Sequence, residues 1–343
     1  MKRFGLVSAS ATLILVITAA PAVACGGLIG PRGSVNLLKT TTLAAYSGGI
    51  EHYVTSFQFI GGGGAFGSLV PLPGIPTKVE RGGDWTLQRL VRETQAQPEF
   101  AALAASAQTD SRPRKPAQVI LETRIDALDI TVLKGGGDEV GVWAKENGFS
   151  LPPDAPEVLD FYASRSPIFM AARFDADAAA ARGQNSGDGT PIHLSIPTDT
   201  PWVPLRILGL GKQANEVVQA DVYLLTDDEP RLLPGTRSGL TVERSERASD
   251  SLIQDLRADK GMEWIPAAGM WLSYLKIDSA ASDLTYDLAV SVDGSAPSRI
   301  DAGLGRVQAV VSDSRVPIWI AAVALAFVVA GLAALTFRPT AAA

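Results

Sequence analysis

Two histidines, one cysteine and 36 aspartates and glutamates are the side chains of this sequence with the most chemistry to offer. His52 and His193 both lie in strand-like runs, His193 opposite the apolar set Ile192, Leu194 and Ile196. A histidine on the wetted face of a strand reads first as a polar surface residue. As a general base it would need a serine and a carboxylate gathered around it, and neither a G-x-S-x-G elbow nor an H-E-x-x-H pair occurs. A single cysteine, Cys25, excludes an intrachain disulfide framework and a multi-thiolate zinc site. Among so many carboxylates some pair will meet glycosidase spacing once the chain is folded, but the sequence does not pick it. The acidic runs Asp175-Ala176-Asp177 and Asp227-Asp228-Glu229 lack the Asp-x-Asp-x-Asp-Gly spacing of a calcium loop and read as solvated turns. No metal and no cofactor is expected.

Two further motifs fail on context. Gly62, Gly64 and Gly67 satisfy G-x-G-x-x-G, yet the chain runs on into Ser68-Leu69-Val70-Pro71-Leu72-Pro73, which cannot be the helix a dinucleotide site requires. Ser273 and Lys276 match S-x-x-K, but residues 270–277 read as a strand, where positions i and i+3 point to opposite faces. The candidate binding surface is therefore His52 with the glycine loop around Gly62 and Gly64, followed by Arg206 in the run Val203-Pro204-Leu205-Arg206-Ile207. Arg206 there is either paired with a carboxylate or exposed at an edge, and the ion pair is the expected reading.

The elements that would position these residues mix strands and helices. Residues 51–60 alternate, with Tyr53, Thr55, Phe57 and Phe59 on one face and His52, Val54, Ser56 and Gln58 on the other, and join the preceding threonine-rich run through Ser47-Gly48-Gly49 as a hairpin. Alternation over 119–125 and over 284–292 predicts two more strands, each with one buried and one wetted face. Asp84, Asp154 and Asp250 are placed to open helices carrying Leu87/Leu90/Val91, Val158/Phe161/Tyr162 and Leu252/Ile253/Leu256, and Pro98 another. The fold class predicted is α+β, mainly antiparallel sheet with interspersed helices. Residues 181–189 read equally as a divider between two lobes and as a surface loop.

The ends set an address. Lys2 and Arg3, an apolar run and the small residues Ala22 and Ala24 predict a secretory signal over residues 1–24. Cys25 follows, where both plain cleavage and lipidation fit the residues. Residues 317–337 carry no charge and are long enough to cross about 30 Å of hydrocarbon, with Trp319 at headgroup level. The expected organisation is a signal peptide, an extracytoplasmic domain over 25–312, one membrane anchor with its flanks over 313–338, and a cytoplasmic tail over 339–343. A net charge of −6 argues against nucleic acid as a partner.

Several stretches resemble an uncharacterised exported bacterial family, domain of unknown function 2330: Ala24-Cys25-Gly26-Gly27, the run from Glu51 through Phe57, the run from Phe66 through Gly74, and Pro201-Trp202-Val203-Pro204-Leu205-Arg206-Ile207. The resemblance implies an exported, membrane-tethered protein and carries over no functional residue. The expected function is a non-catalytic, single-pass membrane module of the cell envelope that binds an envelope component or a partner protein. The alternative is a cell-wall or glycan hydrolase using a carboxylate pair.

Overall fold

A computed structural model describes residues 27–30, 33–34, 37–59, 66–95, 117–175, 178, 181 and 190–305. In chain order the first strands are β1 (Gly27–Gly30), β2 (Gly33–Ser34), β3 (Leu37–Ser47), β4 (Ile50–Phe59), β5 (Phe66–Leu72) and β6 (Lys78–Arg81). Helix α1 (Thr86–Thr94) follows, then β7 (Gln118–Ile125), β8 (Leu128–Lys134), α2 (Gly137–Glu146) and α3 (Ala155–Ala163). Next come β9 (Ile168–Phe174), β10 (Ile192–Pro197), β11 (Trp202–Val203), a 3-10 turn (Arg206–Gly209), β12 (Val217–Thr226), β13 (Arg231–Leu233) and β14 (Leu240–Arg247). Helix α4 (Asp250–Ala258), β15 (Trp271–Ala280) and β16 (Leu288–Ser291) complete the set.

These strands form three sheets, ordered β2-β1-β5-β9-β8-β7, β14-β15-β12-β3-β4-β10-β6 and β11-β16-β13. Among the described residues every strand pairing is antiparallel except that of β12 with β3. The mixed, mainly antiparallel class read from the sequence is what the chain adopts. Among the described residues no helix is long and apolar enough to cross a membrane. The anchor over 313–338, the tail over 339–343, the signal over 1–24, Cys25 and all but Ala181 of the 181–189 run lie outside the described residues.

The β3–β4 hairpin forms as expected. Ser47 pairs with Ile50 across Gly48 and Gly49, whose φ of +60° and +78° are the left-handed values a two-residue turn requires. The expectation of one wetted face per strand does not survive at the centre of the seven-stranded sheet. There Tyr53 and Val54, on opposite faces of β4, are both buried. One face joins the six-stranded sheet, α2 and α3 in a core that includes Leu69, Ile130, Trp143, Phe169 and Leu275. The other carries a second core of Leu43, Val54, Leu225 and Leu272 under Leu87 and Leu90 of α1 and Leu252, Ile253 and Leu256 of α4. On β7 the alternation slips at a bulge between Val119 and Leu121, which leaves Val119 exposed.

None of the three expected aspartates caps its helix through its side chain: Asp154 stands before α3, but its carboxylate accepts from Gly211 N at 2.9 Å. Asp84 pairs with Arg81, and α1 is capped from 173 residues away: Asp259 accepts from Thr86 N at 2.8 Å, Trp85 N at 2.9 Å, Asp84 N at 3.0 Å and Thr86 Oγ1 at 2.7 Å. A buried carboxylate on three free N–H groups satisfies the helix start and its dipole together. Gly83 makes the approach fit, since a Cβ there would lie 2.2 Å from Asp259 Oδ2. Ser249, not Asp250, caps α4, its hydroxyl accepting from Leu252 N at 3.2 Å. Asp259→Ala is expected to cost about 2–3 kcal/mol, read from urea denaturation midpoints.

Candidate functional site

Strand β4 sets two ionisable groups back to back, because successive side chains leave a strand on opposite faces. Its partner β10 runs antiparallel with Ser195 opposite His52 and His193 opposite Val54, and β6 places Glu80 opposite His193. On this outer face His52 Nδ1 lies 2.9 Å from His193 Nε2, and His193 Nδ1 lies 3.2 Å from Glu80 Oε1. Glu80 also takes Lys78 Nζ at 2.7 Å. A carboxylate can only accept, so His193 Nδ1 donates to Glu80, His193 Nε2 accepts, and His52 Nδ1 donates. The relay leaves His52 Nε2 as a lone pair. Trp264 lies flat on His52, with ring centroids 3.8 Å apart and 4° between planes.

Burial pushes both imidazoles down to about 4 against the pull of Glu80, and His193 pushes His52 further down. Both are neutral at ordinary pH. His193, read from the sequence as a surface residue, is 1% exposed. The reason is tertiary: the loop after α4 brings Trp264 over the strand.

On the inner face Glu51 is 1% exposed, and neither carboxyl oxygen completes a hydrogen bond. Burial pushes this acid up to about 8, with the Trp202 backbone amide pulling the other way. A cavity of about 10 Å³ beside it is lined by Tyr46, Pro201, Trp202, Val203, Thr226 and Val290 among others.

The segment 201–208 covers that inner face and is tied down by a buried ion pair. Asp287 Oδ1 accepts from Leu205 N at 2.7 Å, Arg206 N at 3.0 Å and Tyr162 Oη at 2.8 Å, while Oδ2 takes the Arg165 guanidinium. The Tyr162 hydroxyl in turn accepts from Ile207 N at 2.8 Å. Arg165 stacks over Phe161, Tyr162 and Trp202. Burial raises the Asp287 carboxyl, and Arg165, the Arg206 amide and Tyr162 work against it. Alternation over 284–292 sets Asp287 opposite the apolar Leu284, Tyr286, Leu288 and Val290, the face expected to be wetted. It is instead fully buried, as the anchor of the segment.

Arg206 itself pairs with Glu157 and lies over the Phe161 ring, the ion-pair reading. The structure therefore does not bring Arg206 together with His52: Phe161 flanks the first core and Trp264 the second. Gly62 and Gly64 lie outside the described residues. The chain after them enters β5, not a helix, and Ser273 and Lys276 sit at opposite-face positions of β15. Asp227 accepts from Ser47 and Asp228 pairs with Arg247, as solvated turns do.

A groove of about 420 Å³ lies where the outer sheet face runs out beyond the end of α1. Gln95, Gln219, Asp221, Glu243, Tyr274 and Lys276 line it. Asp221 is buried and accepts from Tyr274 Oη at 3.0 Å and Gln95 Nε2 at 2.8 Å, while Gln95 Nε2 also reaches Tyr274 Oη at 2.8 Å. Tyr274 stacks on Tyr223, whose hydroxyl is 3.0 Å from Thr94 Oγ1. Burial and Asp221 raise the Tyr274 phenol, so it stays a donor. The groove wall is locked from behind while Glu243 and Lys276 face outward. Sequence reasoning missed it, since its residues come from α1, β12, β14 and β15.

No curated protein matches the chain in sequence. Among solved structures, the crystal structure of baculovirus P35 is similar at a TM-score of 0.41 and 8% identity, over 75% of this chain and 97% of that one. P35 in the caspase-8/P35 complex gives 0.36 and 9%, over 74% and 96%. Likenesses of this size carry no argument about function. A family model matches residues 19–250, a stretch that holds Glu51, His52, Glu80, His193 and the whole 201–208 segment. On that match the chain belongs to the family described as uncharacterized protein conserved in bacteria, DUF2330.

Proposed function

We propose that this chain is an exported module, held at the membrane by the apolar run over 317–337, whose domain outside the cytoplasm binds a hydroxyl-rich component of the cell envelope. The groove of about 420 Å³ carries this reading. Its size falls in the range of small-molecule sites, about 300–1,000 Å³, and its polar wall is held rigid by the Asp221–Tyr274–Gln95 hydrogen bonds. A ligand that pairs with Glu243, Lys276 and Gln219 meets groups whose supports are already ordered, which lowers the cost of binding. The basic-then-apolar N-terminus supports export, and the uncharged C-terminal run with its flanking Arg315 and Arg338 supports the anchor.

Titrating the full chain with soluble wall-glycan fragments by calorimetry is expected to give saturable binding. Glu243→Ala with Lys276→Ala should weaken it about tenfold or more through two lost charged contacts, with an unchanged melting temperature. Binding that ignores both substitutions would remove the groove from the reading. A second reading, a carboxylate-pair hydrolase, is favoured by one observation: the groove holds a buried carboxylate, Asp221, and an exposed one, Glu243. Release of new reducing ends from the same fragments, lost in Glu243→Gln, would decide for it.

A further inference from the structure

The segment 201–208 is a strap fastened mainly along one side, with the Trp202 amide alone turned toward Glu51 of the large sheet. Pro201 and Pro204 have no N–H to give. Trp202 and Val203 pair with Ala289 and Leu288 of β16, Pro201 O accepts from Val290 N at 3.0 Å, and the next three amides go to Asp287 and Tyr162. These ties reach β16, α3 and Asp287, and across to the large sheet the strap offers Glu51 only the Trp202 amide, short of a completed hydrogen bond.

Beneath the strap the packing is incomplete and polar. The cavity of about 10 Å³ at Glu51 has a neighbour of about 20 Å³ lined by Thr40, Val203, Pro204, Leu205 and Ile207 among others. Thr40 Oγ1 is buried without a partner, as both Glu51 oxygens are. A void of roughly 10–15 Å³ holds one water if it offers two or more polar partners. The Glu51 cavity offers its carboxyl and the hydroxyls of Tyr46 and Thr226, each of which donates elsewhere, to Thr198 O and Asp228 O, and keeps lone pairs to accept with.

We propose that Glu51 is a proton-operated clasp for the strap: as the neutral acid it holds one internal water under Trp202, and on ionisation the strap comes loose. The chemistry is a single proton lost from the carboxyl to solvent, leaving a carboxylate that must be hydrated. No cation among the described residues acts on it. Among the described residues the titratable groups facing Glu51 are Tyr46 of β3 and Tyr53 of β4; the other charges acting on Tyr46 are Asp199, Asp227 and Asp293, and on Tyr53 Asp287. From the strap, β12 and β16 the cavity receives Pro201, Trp202, Val203, Leu224, Thr226 and Val290, all uncharged. Opening toward water is the relief available, and the strap is the lightest cover.

Hydrogen exchange of the full chain, followed by mass spectrometry of strap peptides at pH 6 and pH 9, tests this. Glu51 titrates near pH 8, so about ten ionised chains per neutral one are expected at pH 9. Strap protection, referenced to Glu51→Gln at each pH, should then fall about tenfold in the parent alone. An equal fall in Glu51→Gln, or none in the parent, overturns the clasp. If Glu51→Gln does not fold, Glu51→Leu serves as the same reference. The infrared carboxylic-acid carbonyl band of the parent at pH 7, absent from either variant, is the direct signature; its absence from the parent also overturns the proposal.

Discussion

Replacing Arg165 with methionine is expected to destabilise the folded chain by about 3–5 kcal/mol, measured by chemical denaturation at neutral pH. The guanidinium is 5% exposed and its partner Asp287 is completely buried. Methionine keeps much of the volume stacked on Phe161, Tyr162 and Trp202, so lost packing is a minor part of the cost. The major part is a carboxylate left in the core with neutral donors alone. Its oxygens would still accept from Leu205 N, Arg206 N and Tyr162 Oη, but a buried charge without its counter-ion is driven to take up a proton, which weakens those same bonds. Adding Asp287→Asn to Arg165→Met should therefore recover part of the loss. Full additivity of the two would show that the residues do not act as a pair.

That ion pair shows where the sequence stops being legible. The β3–β4 hairpin could be read because its signal is local: alternating β-formers around two glycines. The apolar faces of α1, α3 and α4 were legible for the same reason, since Leu87 and Leu90, or Leu252, Ile253 and Leu256, repeat within one element. The caps were not, because Asp259 reaches α1 from 173 residues away and displaces the nearer Asp84. Periodicity also assumes that polar positions face water. Asp287 and His193 break that assumption, each sitting at a polar position of an alternating run whose supposed wet side is covered by another element. Of the candidate residues, Arg206 was readable as an ion pair from its apolar surroundings. His52 was singled out without its meaning, which depends on a ring 141 residues away and on Trp264 beyond it.

Glu51 of β4 and the paired histidines His52 and His193 should also give the protein a stability optimum in pH, at about 6.5. Glu51 has a folded value of about 8 against 4.5 when unfolded. Between these limits the folded chain holds a proton the unfolded chain has lost, so stability falls as pH rises, by about 5 kcal/mol across the window. His193 behaves oppositely, with about 4 folded against 6.5 unfolded. There the unfolded chain binds the extra proton, and stability falls as pH drops, by about 3 kcal/mol. His52 is lowered in the same direction. From pH 4.5 to 6.5 the two histidines together outweigh Glu51, and above 6.5 Glu51 acts alone, which places the maximum at the crossover. Denaturation curves from pH 4 to 9 are expected to show this peak, with Glu51→Gln losing the alkaline limb and gaining about 3 kcal/mol at pH 7, and His193→Gln losing most of the acid limb. A parent profile that rises steadily to pH 9 would mean that Glu51 is ionised in the folded chain, and that its hydration under Trp202 is already complete.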